Sequence, residues 1–343
     1  MPRDKPLILA DPTPRAMDLI FAPAERAKLE RLGDVIAHDQ GPMPDAMVDR
    51  HLPEATILVG QTAMPKERLD RARSLRAIFN VEGNFLPNID YDTCFQRGIH
   101  VLNCSPVFAL PVAELALGAA IDLARDISKA DRDMRAGRET YGLDSNRRAF
   151  LLTGSPVGLI GFGDLGRALR SLLVPFHCPV KVYDPWLPER LIRAHDCVPA
   201  GLDEVLGTSR VIFVFAGVTR ENQGFLGRRE LALIRPDSVF LLMSRAAVVA
   251  FDAFVELVAA GRFRAATDVF PEEPVASDHP VRRLEDMLLS AHRAGGMMEA
   301  FRAIGEIVVS DAALILAGLP PVSARPAQRE TIGRLRSKPV SIS

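Results

Sequence analysis

Short runs of apolar residues alternate with stretches of helical period along most of this chain. Residues 7–10, 57–59 and 77–79 are apolar runs of strand length, whereas 24–32 and 66–73 carry apolar positions three and four apart. A strand buried on both faces gives the first pattern and an amphipathic helix the second. Their alternation predicts βαβ units and a parallel sheet. A longer helix is predicted over about 112–136, with Pro111 in its first turn, where a missing N–H costs nothing, and Gly137 at its end. A second series follows, with strands at 157–160, 180–183, 211–215, 239–242, 265–267 and 287–289 and helices at 165–173, 191–195 and 202–206. A last helix over 298–317 stops at Gly318 and Pro320, and the polar tail from Ser323 is expected to be peripheral. The pattern is therefore α/β, in two units.

Composition narrows the function more than the fold. The chain has 343 residues, 48% of them apolar and 25% charged, enough for two domains with sizeable cores. Lys plus Arg number 42 against 43 Asp plus Glu, and no basic block occurs, so neither a nucleic acid nor an anionic membrane is an expected partner. The longest apolar runs, 211–218 and 312–322, fall short of the ~18 residues of a membrane span. The first residues lack an export pattern, so a cytoplasmic location is expected. Cys94, Cys104, Cys178 and Cys197 have no metal spacing; they are expected to be buried thiols, and no metal is expected.

The sharpest local signal is the segment 157–169, in which an apolar strand runs into Gly161-x-Gly163-x-x-Gly166 and a helix opens at once. The first glycine permits a tight turn, the second admits a pyrophosphate close to the backbone, and the third lets helix and strand pack closely. The helix N-terminus then offers free N–H groups to the phosphates. Asp184 ends the next strand, 18 residues past Gly166, near the spacing of an acid that binds the adenosine ribose. Its carboxylate would repel a 2′-phosphate, which favours NAD.

Ionisable residues also follow the later strands: Arg245, then Asp268 and Glu273, then His292. Singly each has a bland reading as a solvated charge or loop acid. Together they make chemical sense. A guanidinium can hold a carboxylate and polarise an adjacent carbonyl. An imidazole can pass a proton to the carbonyl oxygen, and a neighbouring carboxylate favours its charged form and fixes its tautomer.

These residues give the chain a resemblance to the D-isomer-specific 2-hydroxyacid dehydrogenases, the group that includes D-3-phosphoglycerate and glycerate/hydroxypyruvate dehydrogenases. The likeness runs over about 55–320. It rests on Asn88-Ile-Asp90, Arg97-Gly-Ile-His-Val-Leu-Asn103, Val112-Ala-Glu114, Leu152-Thr-Gly154, Tyr183-Asp-Pro185, Ser244-Arg245, Asp268-Val-Phe-Pro-Glu-Glu273-Pro274 and His292-Arg-Ala-Gly295. The resemblance implies two Rossmann-like or flavodoxin-like parallel-sheet domains with a cleft between them. A substrate domain would comprise 1–105 plus 297–322, an NAD-binding domain 106–296, and 323–343 a tail. It implies NAD contacts at Gly161, Phe162, Gly163, Asp164, Leu165, Gly166, Asp184, Ala216, Gly217, Val218, Thr219, Ser244, Asp268 and Gly295. Arg245, Glu273 and His292 would be catalytic, and the long-helix region 112–136 would build a homodimer.

The departures bear on the substrate. The family's glycine after the arginine is Ala246, its Val-Asp pair is Val249-Ala250, and its Val-Pro-x-Thr loop reads Ala216-Gly-Val-Thr219. Phe108 stands where many members have Asn, and Met297 where they have Thr. The substrate loop carries Val81, Glu82, Gly83, Asn84 and Phe85, with one glycine instead of two. Phe85 and Phe108 would crowd or grease the pocket. Glu82 has two readings: inward, opposing an anion, or turned to solvent or a neighbouring arginine. A small or apolar 2-keto acid is thus expected over a phosphorylated one. Two alternatives stand beside a dehydrogenase. One is an NAD(H)-binding regulatory protein of the corepressor type, which shares the family's likeness. The other is a formate-type enzyme, against which Glu273 argues because those enzymes carry Gln there.

Overall fold

In a computed structural model of the chain, residues 5–336 are described. The chain divides into two compact units. One runs up to Phe108 and resumes at Gly296; the other spans Ala109–Gly295.

The first unit is built on five parallel strands, β1 (Leu7–Asp11), β2 (Asp34–Ala37), β3 (Ala55–Gly60), β4 (Ala77–Asn80) and β5 (His100–Asn103), in the order β2-β1-β3-β4-β5. This is the flavodoxin-like winding. β1, β3 and β4 are almost wholly buried, as apolar runs on both faces require. The helix Met298–Leu316 returns to this unit and buries Ile304, Val308, Ala312 and Ile315 in its core. Gly305 lets it approach closely, since a Cβ there would stand 2.3 Å from the Ile20 carbonyl oxygen.

The end of the chain is not the loose appendage expected from its polar composition. Asp311, fully buried, accepts hydrogen bonds from the backbone N–H groups of Val322, Ser323 and Ala324. The strand Arg325–Pro326 then pairs antiparallel with β5. A buried carboxylate gathering three N–H donors fixes a segment whose side chains carry little apolar signal. The last seven positions of the expected tail, 337–343, lie outside the described residues.

The second unit holds seven parallel strands: β6 (Val157–Ile160), β7 (Val180–Tyr183), β8 (Val198–Pro199), β9 (Val211–Val214), β10 (Val239–Leu242), β11 (Arg264–Thr267) and β12 (Met287–Leu289). Their order, β8-β7-β6-β9-β10-β11-β12, reverses direction between β6 and β9. At such a switch point the loops at the strand carboxyl ends part and leave room for a ligand.

The expected single helix over 112–136 is corrected to two helices, Ser105–Arg125 and Ile127–Arg135. The first starts earlier because Asn103 Oδ1 accepts the Ser105 N–H at 3.0 Å and anchors its entry. The break falls at Asp126, which has φ +51°. Buried Arg264 holds it there, donating Nη1 both to the Leu123 carbonyl and to Asp126 Oδ1. By length and composition Ser105–Arg125 is apolar enough to cross a membrane. Its Ala113, Ala116 and Ala120 are fully buried in the second unit's core.

Candidate nucleotide and acid–base site

The glycine turn follows β6 directly. Gly161 has φ +94°, and a Cβ on it would stand 2.6 Å from the Ala216 nitrogen, so only glycine serves. A Cβ on Gly166 would meet the Gly161 carbonyl oxygen at 2.7 Å, the close packing expected of the third glycine. Nothing lies within 4 Å of the Cβ position of Gly163, the glycine that should leave room for a ligand. The helix Asp164–Leu173 starts there, with Leu165 packed on the core and Asp164 in its first turn. Phe162 sends its ring into the core and its N–H, at 2.8 Å, to Asp184 Oδ2. The other oxygen of Asp184 accepts the Trp186 N–H at 3.0 Å. The turn and the acid after β7 are thus one hydrogen-bonded unit. Each carboxylate oxygen retains acceptor capacity for a ribose hydroxyl. The residues present fit a dinucleotide.

Opposite the glycine turn, the loop after β9 holds Ala216, Gly217, Val218 and Thr219. Asn222 clips it, accepting the Thr219 N–H and donating to the Gly217 carbonyl, both at 2.7 Å. Ser244, after β10, donates its hydroxyl to the Ala216 carbonyl at 2.9 Å and ties the two strand ends together. Arg245 follows, with Nη1 donating to the Ser244 carbonyl at 2.7 Å.

The acid–base pair forms at the next two strand ends. His292 Nδ1 lies 2.6 Å from Glu273 Oε2, and Glu273 Oε1 accepts the Phe270 N–H at 2.9 Å. An ionised carboxylate only accepts, so Nδ1 carries the hydrogen and Nε2 is the nitrogen available for proton transfer. His292 and Glu273 side chains are 37% and 35% exposed, open enough for a reactant to reach. His292 has φ +47°, a sparsely populated backbone region for a non-glycine residue. Asp268 holds it: buried at 1% exposure, it accepts the Arg293 and Ala294 N–H groups, each at 3.0 Å. Each oxygen takes one N–H, and Asp268 thereby fixes the turn bearing His292. Gly295 ends the unit, half-buried.

In the first unit the expected substrate loop follows β4. Asn80 braces it from within, donating Nδ2 to the Asn84 carbonyl at 2.6 Å and accepting the Glu82 N–H on Oδ1 at 3.0 Å. Two expectations change. Phe85 is not a pocket residue: it is buried in the core on the other side of the sheet, edge-on to Tyr91 at 6.2 Å. Val81 is likewise fully buried. Glu82 faces a neighbouring arginine, with Arg15 Nε 2.7 Å from its Oε1. Phe108 does lie against the loop, its ring 3.3 Å from where a Gly83 Cβ would stand.

Cysteine chemistry is absent from these groups. All four thiols are buried, and burial pushes Cys94 up to about 12 and raises Cys104 as well. Among the described residues no cluster of three or more His, Cys, Asp and Glu is arranged to hold a metal.

Comparison with known proteins fits this geometry. The family model of the D-isomer specific 2-hydroxyacid dehydrogenase NAD binding domain matches residues 117–294. The chain belongs to this family. Among solved structures, a phosphoglycerate oxidoreductase from Rhizobium etli superimposes with a TM-score of 0.87 at 44% identity, over 96% of this chain and 100% of that one. Among curated relatives, the D-3-phosphoglycerate dehydrogenase of Archaeoglobus fulgidus is 28% identical over 271 residues, 78% of this chain and 50% of its own. The glyoxylate reductase of Thermofilum pendens is 26% identical over 307 residues, 85% of this chain and 88% of its own. The chain spans about half the length of the D-3-phosphoglycerate dehydrogenases it matches. Asn80 opens the loop that the sequence motifs already marked; Arg15 and Asn222 carry no local signal in the sequence.

Proposed function

We propose that the protein interconverts a D-2-hydroxy acid and its 2-keto acid with NAD. The observation that carries this reading is the His292–Glu273 pair at 2.6 Å on the strand ends that follow the dinucleotide turn. Asp184, by its negative charge, favours NAD over its 2′-phosphorylated form. When bound, the nicotinamide supplies or accepts the hydride. The remaining roles belong to side chains of this chain. Arg245 holds the substrate carboxylate and polarises the carbonyl. In reduction His292 donates the Nε2 proton to the carbonyl oxygen; in oxidation it removes the hydroxyl proton. Glu273 holds the ring by Nδ1 and stabilises its charged form, while Asp268 fixes the backbone beneath it.

The first experiment is loss of NADH absorbance against glyoxylate, pyruvate, 3-hydroxypyruvate, phosphohydroxypyruvate, phenylpyruvate and branched-chain keto acids. Turnover of at least one is expected. Tight NADH binding without turnover of any would instead support a regulatory, cofactor-sensing protein.

We also infer a homodimer. The helix Ile127–Arg135 buries none of its residues within the chain. Near it in sequence, Ile127 is 52% and Leu143 85% exposed, with Met134, Tyr141 and Leu151 also open. These open apolar side chains on an otherwise charged arm are the positions a second copy would cover.

A further inference from the structure

We propose that Arg282 is a positioning residue for the acid–base pair: its guanidinium holds the backbone of the loop that carries Glu273, and so keeps that carboxylate within reach of His292. Its role rests on the function proposed above for the pair and acts through Glu273. Every group concerned belongs to the second unit.

The loop has little else to place it. It leaves β11 at buried Val269 and regains the core at Val281, which is fully buried. Between them Phe270 and Val275 are the hydrophobic residues that pack partly against that core. Pro271, Glu272, Glu273 and Pro274 are all exposed, as are Ala276, Ser277 and Asp278. Upstream, the Phe270 N–H fixes one oxygen of the Glu273 carboxylate. The Glu273 backbone needs a second anchor downstream. The tolerance is small, because the other oxygen lies 2.6 Å from His292 Nδ1. A drift of about 1 Å would end that hydrogen bond.

Arg282 supplies the anchor. Its Nε donates to the Ala276 carbonyl at 2.8 Å and its Nη2 to the Val275 carbonyl at 2.7 Å. A planar fork that takes two successive carbonyls fixes their direction as well as their place. The Ala276 carbonyl also accepts the His279 N–H at 3.2 Å, and His279 Nδ1 accepts the Val281 N–H at 3.1 Å. Arg282 therefore reaches back from a short turn seated by Val281, and closes the loop on itself. One residue, Pro274, separates the held Val275 from Glu273. Its ring locks φ, so little backbone freedom remains between the anchor and the carboxylate.

The test is a double-mutant cycle read by steady-state kinetics with NADH and the best keto acid. Arg282→Ala should lower kcat about tenfold while NADH affinity stays within about twofold of wild type. Arg282→Lys, which keeps the charge and one donor head, should recover kcat to within about threefold. In a Glu273→Ala background no carboxylate is left to place, and Arg282→Ala should then change kcat by less than about twofold. A merely structural role would give the same fall in both backgrounds. A second readout needs no turnover. With 15N-labelled histidine, NMR at a pH where the ring is neutral reports the tautomer of His292, assigned by its absence from His292→Gln. The wild-type ring should carry its hydrogen on Nδ1, and Arg282→Ala should move it toward Nε2. Should Arg282→Ala fail to fold, Arg282→Lys carries both readouts, with smaller changes of the same sign. An equal fall of kcat in both backgrounds, or an unmoved tautomer in the variant, overturns the proposal. A wild-type protein that turns over no keto acid, yet shows the Nδ1–H tautomer and its loss in Arg282→Ala, overturns the reaction and upholds the arginine's role.

Discussion

Glu273 divides its two oxygens between jobs: one takes the Phe270 N–H and so fixes the carboxylate, and the other holds His292. Replacing Glu273 with Gln keeps the shape and an acceptor but removes the charge that stabilises a protonated ring. We expect kcat to fall about a hundredfold or more while NADH affinity stays unchanged. Steady-state kinetics beside a binding titration checks this, and an unaltered kcat would remove Glu273 from the mechanism. At this scale the sequence was readable wherever function depends on neighbours in the chain. The three glycines and Asp184 are constrained by one turn and one strand, so residue type and spacing expose them. Arg15 and Glu82 are 67 positions apart, and only the folded sheet brings them together. Phe85 misled for the related reason that a loop position does not say which face of the sheet its ring takes.

At the scale of elements, the strands of the second unit were the easiest to read. β6 and β10 coincide with their apolar runs because each is an interior strand buried on both faces; β7 and the edge strand β12, only partly buried, coincide with theirs because most of their residues are still apolar and β-branched or long-chained enough to stand out. β2 was missed because it begins with exposed Asp34 and is only half-buried thereafter. The long-helix region shows what a periodic pattern omits. Its apolar repeat runs through Asp126, but the break there is set by Arg264, more than a hundred residues away in the chain. The consequence is a separate helix, Ile127–Arg135, with no buried side chain. We expect sedimentation velocity at micromolar concentration to show a dimer. The double substitution Ile127→Glu/Leu143→Glu should give monomers that still bind NADH. A wild-type monomer across the accessible concentration range would contradict this.

For the whole molecule, the chain begins one α/β unit, completes a second, and returns to the first through Met298–Leu316. Gly305 and Asp311 on that helix secure the return, the one by close approach and the other by its backbone hydrogen bonds. The alternation of strand and helix made both units legible; the bonds that hold the end of the chain were not, because they are made by backbone groups of a polar segment. The central claim concerns the second unit, in which dinucleotide turn and proton donor stand on one sheet. The sole tryptophan, Trp186, lies two residues past Asp184 and reports binding independently of chemistry. The decisive measurement therefore compares wild-type and His292→Gln proteins by Trp186 fluorescence on adding NADH, and by NADH consumption with the best keto acid. The account predicts equal quenching in both and a loss of turnover of about a hundredfold or more in the variant. Equal turnover in both would contradict it.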